Sequence, residues 1–180
     1  METSEWIEHL KRERKGKDTF FRVHPHSPIP FEELRIFKGL DYYRIDPDYR
    51  FELKLHEHEK KNIVKMLDTK GNEREFLRWG EFRFKINGKE CIIQAFKSDP
   101  KEDRLFILFR DSTSGKETYG AGRYLDLEPG RHLTDEKWIL DFNQAYNPWC
   151  AYNEKYACPL VPQENCLDVA ILAGEKKYSH

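Results

Sequence analysis

No apolar run in the sequence approaches the roughly 20 residues that span a bilayer. The opening "METSEWIEHLKRERKGK" holds no apolar signal-peptide core. Both absences point to a cytoplasmic protein without a membrane partner. A surplus of one charge is missing too: 31 Lys and Arg stand against 32 Asp and Glu, a formal net charge of -1. Nucleic-acid binders carry a basic excess on at least one face, so no nucleic-acid partner is expected. The one local excess, "KRERKGK" at 11–17, interleaves with Glu13 on a helical stretch and reads as a solvated helix face. Cysteine is scarce, with four residues and no close Cys-x-x-Cys pair of the kind zinc sites use. In a cytoplasmic protein these thiols are expected to stay mostly reduced. Repeats, linkers and low-complexity segments are absent. The 180 residues therefore read as a single domain, long enough to bury a core without covalent staples.

Hydrophobic residues make up 38% and charged residues 35%, with Phe and Tyr supplying most of the aromatics, which suits a polar surface around an aromatic-rich core. Thr3 or Ser4 can cap a helix over 3–17 that sets Trp6, Ile7 and Leu10 on one side. A Pro-rich stretch follows, with one helical turn at 31–34. From Tyr42 the period changes to two. "RFELKLHEHE" points Phe51, Leu53 and Leu55 inward and His56 and His58 outward. "IVKMLDT" and "EREFLRW" flank a turn at Lys70-Gly71-Asn72, and "EFRFKI" and "ECIIQAF" flank Asn87-Gly88, a strong hairpin signal. "RLFILFR" is apolar enough for a central strand, and "ETYGAGRYLDL" and "KWILDFN" complete an antiparallel sheet over 42–143. The segment 144–175 is Pro-rich, and its last run, "CLDVAILAGE", leans toward strand. The pattern predicts a mainly β, α+β fold: a single antiparallel, partly closed β-barrel or sandwich, with an N-terminal helix and a long irregular C-terminal segment. Barrel closure is favoured because it removes exposed edges.

The run "TYGAGRYLDL", then "LDFNQAYNPWCAYNEKYACPL" continuing through Pro162 to Glu164-Asn165, then "AILAGE", resembles the uncharacterised family known as domain of unknown function 1684. The upstream "FKGLDYYRID" and "LFILFRDSTSGKETYG" are similar to that family as well, so the resemblance covers most of the chain. It implies a shared architecture and a site around the C-terminal motif. It brings no activity, cofactor or catalytic residue, and none is assigned.

Within the motif, Arg123 follows Gly120 and Gly122, where missing side chains allow another backbone or a ligand to come close. Its guanidinium can bind a carboxylate or phosphate through two bonds, or pair internally with Asp126, Asp141 or Glu164. The Gly-x-Gly is not a nucleotide fingerprint, since no third glycine and no strand-to-helix turn follow. Asp141 and Asn143 share a face at strand spacing, and Tyr146, Asn147 and Tyr152 follow in a loop stiffened by proline. These side chains can converge on a small ligand. They can equally satisfy the backbone of the loop that carries them.

Cys150 and Cys158 are candidate metal ligands; as alternatives they are small buried residues or a redox-sensitive pair. His56 and His58 point away from the apolar face and read as exposed, and His24 and His26 read as part of the Pro-rich packing. Glu164 and Glu175 read as surface residues or partners of Arg123, with general-base chemistry open to either if buried near another carboxylate. The functional expectation is a small polar or anionic molecule bound in a pocket between the C-terminal motif and the barrel mouth, with hydrolysis as one possible use. A metal-stabilised domain and a non-catalytic interaction module are the alternatives.

Overall fold

A computed structural model describes residues 2–178. Helix α1 (Thr3–Val23) runs six residues beyond the predicted end, because its core-facing stripe continues through Phe21. A 3-10 helix at Phe31–Ile36 follows. Then come strands β1 (Arg50–Leu53), β2 (His56–Leu67), β3 (Glu73–Ile86), β4 (Lys89–Lys97), β5 (Leu105–Phe109) and β6 (Arg123–Leu127). The short helix α2 (Pro129–His132) leads into β7 (Leu133–Thr134) and β8 (Lys137–Asp141). No helix among the described residues is long and apolar enough to cross a membrane.

The strands form two antiparallel sheets, one in the order β2-β3-β4-β5-β6 and the other β1-β8-β7. Both predicted hairpins are present. Asn87 and Gly88 take φ of 49° and 79°, the left-handed pair that a two-residue turn needs. "RLFILFR" supplies β5, which lies between β4 and β6 as an interior strand.

The fold is sandwich-like and does not close into a barrel. "RFELKLHEHE" splits between the two sheets at Lys54 and Leu55, so β1 pairs with β8 while β2 begins the larger sheet. The β6 edge is covered by the C-terminal segment, where Tyr124 and Tyr146 exchange two backbone hydrogen bonds of 2.8 and 3.0 Å. Covering that edge removes the need to close the sheet upon itself. The final "CLDVAILAGE" is not a strand. It makes isolated bridges at Cys166 and Glu175 and is otherwise held by single backbone hydrogen bonds, such as Ser112 N to Val169 O at 2.9 Å, and by side chains.

The main core fills the space between the sheets, with Phe82, Ile93, Ile107, Phe109, Leu140 and Phe142 fully buried. The C-terminal segment, residues 142–178, wraps like a strap. Ala145, Ile171 and Ala173 enter this core, while Cys158 packs with Met66, Phe96, Leu108 and Tyr124 on the opposite face of the larger sheet. On its way round, the strap repairs a defect. Strands β4 and β5 pair only at Phe96 and Phe106. The fully buried Asn165 side chain enters the gap, accepting from Gln94 N at 2.8 Å and donating to Gln94 O at 3.0 Å and Leu108 O at 2.9 Å. Backbone groups that the ladder leaves open thus find a side-chain partner.

Candidate functional site

The stripe Trp6, Leu10, Arg14, Lys17, Phe21 follows helical spacing along one face of α1. Its two cations lie inside the run predicted to be a solvated face, and they point at the strap instead. Arg14 donates to Tyr43 O at 3.0 Å and to Asn143 O at 3.2 Å. Lys17 meets Glu175 Oε2 at 2.6 Å. Trp6 Nε1 donates to Asp141 Oδ2 at 2.8 Å. Sequence reasoning missed Arg14 and Lys17 as site residues, yet the signal was present: they sit where the apolar stripe calls for buried residues.

A cavity of about 250 Å3 lies between α1 and the strap, walled by Arg14, Lys17, Tyr42, Asn143, Tyr146 and Glu175 among others. Arg14 stacks over the Tyr42 ring, 4.3 Å from its centre, and Lys17 lies 5.1 Å from the centre of the Tyr146 ring. The Tyr42 hydroxyl has no hydrogen-bond partner among the described residues. Burial, then the nearby Glu175 carboxylate, pushes its titration far up, so it is a neutral donor at all physiological pH.

A second cavity, about 310 Å3, opens beside the smaller sheet, lined by Trp6, Arg50, Arg131, His132 and Asp141 among others. A cleft of about 270 Å3 on the larger sheet is lined by Phe76, Phe106, Tyr124, Asp126 and Tyr146. Tyr146 therefore borders both the first cavity and this cleft, with its hydroxyl donating to Asp126 Oδ2 at 2.5 Å.

The residues singled out from sequence divide by location. Asn143 and Tyr146 line the cavity under α1, and Asp141 lines the second one. Arg123, Asn147 and Tyr152 stand behind the walls and line none of the three. Arg123 is 1% exposed. It donates to the carbonyls of Ala173, Glu175 and Ile171 and to Asp111 Oδ2 at 3.4 Å, which fastens the strap to the sheet. Its carboxylate partner is none of the three expected. Asp126 takes Tyr146, Asp141 takes Trp6, and Glu164 takes Arg78 at the surface. Register explains the choice: Phe109 lies opposite Arg123, and Asp111, two residues on, falls on the same face. Gly122 earns its place here, since with φ of 104° a Cβ would lie 2.5 Å from Phe109 O.

Asp141 and Asn143 meet each other directly. Asn143 N and Nδ2 donate to Asp141 Oδ1 at 3.0 and 2.8 Å. The Asn143 amide also exchanges two hydrogen bonds with the Asp46 backbone, so its side chain is fully used in joining loops. Burial raises the Asp141 carboxyl above its ordinary range, against the donors from Asn143 and Trp6. Glu175 is buried and doubly held: one oxygen accepts the Tyr152 hydroxyl, the other Lys17 and, at 3.3 Å, Asn147 N.

Cys158 is buried in the cluster on the outer face of the larger sheet, Cys150 packs against that cluster, and the Tyr119 hydroxyl lies 3.5 Å from Cys150 Sγ. No group of three or more His, Cys, Asp or Glu able to hold a metal ion is found among the described residues. His56 is exposed, while His58 is partly buried and bonds Gln94 Oε1 at 2.8 Å. His24 and His26 are exposed, with His24 stacked on Phe20.

The model of a family described as "Protein of unknown function (DUF1684)" matches residues 35–176. The solution NMR structure of an uncharacterised protein from Haloarcula marismortui is similar over 97% of this chain and 95% of its own, with 41% sequence identity and a TM-score of 0.74. No curated protein matches the chain.

Proposed function

The chain belongs to the DUF1684 family of proteins of unknown function, and we propose that it binds a small polar or anionic molecule in the cavity between α1 and the strap. The observation that carries this reading is the pairing of an unpartnered Tyr42 hydroxyl with two cations, Arg14 and Lys17, on the wall of one cavity of about 250 Å3. A cavity of this kind, mostly apolar with a few convergent polar groups, suits a small ligand. The cations would attract its acidic group, the Tyr42 hydroxyl would donate to it, and the Tyr146 ring would cover its apolar part. Asn143 shapes the wall through its backbone oxygen, which orients Arg14. Asp141 steadies α1 through Trp6, and Arg123, Asn147 and Tyr152 act from behind by positioning the strap and Glu175.

The reading is binding and not hydrolysis. Both Glu175 oxygens already accept strong donors, which makes it the partner of Lys17 and leaves it poorly placed to take a proton from water. An interaction module built on Trp149 has less support, because that ring is half-buried against Tyr156 at 5.2 Å.

The test is a thermal-shift screen of small carboxylates and phosphate esters against the wild type and Tyr42→Phe. A ligand present at about 100 times its Kd stabilises by roughly 2.7 kcal/mol, a readily visible rise in Tm. Because the Tyr42 hydroxyl has no protein partner, Tyr42→Phe should keep the unliganded Tm and lose most of the ligand-induced rise. A screen without any shift, together with a native mass spectrum showing only the bare chain, would overturn the proposal.

A further inference from the structure

Four aromatic side chains, Phe76, Phe106, Tyr124 and Tyr146, line the cleft of about 270 Å3 on the larger sheet. Strand register brings them together. Phe106 on β5 lies opposite Asp126 on β6, and Tyr124 stands two residues before Asp126, so these three side chains share one face. Phe76 on β3 packs against the Phe106 ring, with centroids 5.8 Å apart. The strap adds the fourth ring, since Tyr146 pairs with Tyr124 through the backbone.

The rings stand at right angles to their neighbours. Phe106 and Tyr124 meet at 86° with centroids 5.0 Å apart, and Tyr124 and Tyr146 meet at 82° and 5.9 Å. Perpendicular walls turn ring faces into a common corner. Both tyrosine hydroxyls are already committed: Tyr124 donates to Pro159 O, and Tyr146 donates to Asp126 Oδ2 at 2.5 Å. The corner is therefore held in place before any ligand arrives. Phe76, Phe106 and Tyr146 are only half-buried, so part of each ring remains open to solvent.

The charge of the cleft is acidic. Two carboxylates, Glu102 and Asp126, line it with one guanidinium, that of Arg104. Arg104 is held by Glu102 Oε1 at 3.3 Å, and Glu102 Oε2 accepts Ser98 N at 3.0 Å and Ser98 Oγ at 2.6 Å. Those three groups are satisfied among themselves. Asp126 is different: beyond the Tyr146 hydroxyl on Oδ2, its side chain has no hydrogen-bond or ion-pair partner among the described residues. It leaves one uncompensated negative charge beside the aromatic corner.

We propose that this cleft binds the quaternary ammonium group of a small molecule, with the rings of Phe106, Tyr124 and Tyr146 around the methyl groups and Asp126 as the counter-charge. Ring faces attract a cation through their quadrupole, and the attraction grows as the cation is desolvated. The rings accept no ordinary hydrogen bond. A primary ammonium would give up water on its N–H groups without replacement, whereas a fully methylated one has no donor to satisfy. A volume of about 270 Å3 suits a small molecule. The cleft is distinct from the cavity under α1 and takes the opposite charge. Lys17, which lines that cavity and not the cleft, already lies 5.1 Å from the centre of the Tyr146 ring, so this ring accommodates a cation.

The experiment is an NMR titration of the aromatic ring protons at constant ionic strength with three probes: choline, ethanolamine, and the uncharged analogue of choline in which carbon replaces nitrogen. Choline should give saturable shifts centred on Phe106, Tyr124 and Tyr146, and the other two probes should bind about tenfold more weakly. Asp126→Asn keeps an acceptor for the Tyr146 hydroxyl, and Phe106→Leu keeps apolar bulk on the sheet. Each should weaken choline about tenfold, with circular dichroism confirming the fold; Asp126→Asn carries the test alone if the leucine variant unfolds. Tyr42→Phe, in the other cavity, should leave choline binding unchanged. The proposal is overturned by the absence of saturable shifts, by either comparison probe binding as tightly as choline, or by unchanged affinity in Asp126→Asn.

Discussion

Lys17 and Glu175 stand 158 residues apart in the chain and meet at 2.6 Å, with the Glu175 side chain 1% exposed and that of Lys17 28% exposed. This ion pair locks the N-terminal helix to the end of the strap and forms one wall of the candidate cavity. The Glu175 backbone takes part as well, since its N–H donates to Ala145 O at 3.0 Å.

The unequal exposure of the pair predicts unequal costs. Lys17→Met leaves a buried carboxylate without its cation and should destabilise by about 3 kcal/mol. Glu175→Gln leaves an ammonium that can turn to water, and should cost roughly 1–2 kcal/mol. Urea denaturation of both variants checks the order.

Arg123→Met should act on folding before it acts on any ligand. It removes the cation beside the buried Asp111 carboxylate and leaves the carbonyls of Ile171, Ala173 and Glu175 without the Arg123 donor. The expected loss is about 3–5 kcal/mol, with hydrogen exchange rising first at residues 171–175.

Asn165→Leu removes three hydrogen bonds from the gap between β4 and β5 and supplies none. Each buried backbone group left open costs roughly 1–3 kcal/mol, so the variant should lose at least about 3 kcal/mol. The amide of Gln94 should exchange far faster than in the wild type.

His132 predicts an acid-side loss of stability. Burial, then the charge of Arg131, lowers its titration below 6.5. Its Nδ1 accepts Glu128 N at 3.0 Å, which requires the neutral ring. The unfolded chain binds the proton more readily, so this contribution is complete above pH 6.5 and is lost as pH falls through the folded value. Urea midpoints should decline between about pH 7 and 5, and an NMR titration should place the His132 ring below 6.5. A His132→Gln variant should show a shallower decline.

Much of the fold was legible because it is local. Asn87-Gly88 can hardly be other than a turn, and the alternation in "EFRFKI" and "ECIIQAF" requires a half-buried hairpin. The partition into two sheets was not legible, because Lys54 and Leu55 look like any other strand positions. The last apolar run also misled: "AILAGE" has strand composition, but Arg123 takes the carbonyls that a neighbouring strand would have used. At the site, the motif residues were found but their tasks were not. Arg14 and Lys17 were hidden in a run of charge that composition alone assigns to solvent.

Residue type and period were enough to determine the helix, the hairpins, the apolar faces and the segment on which the site is built, because each depends on neighbours a few positions away. The partner of each polar group was decided by the tertiary structure alone. Arg123 could have met any of several carboxylates, and Cys150 could have faced solvent, a metal or another thiol. Only the path of the strap round the sheet placed Asp111 beside the one and the cluster that buries Cys158 against the other.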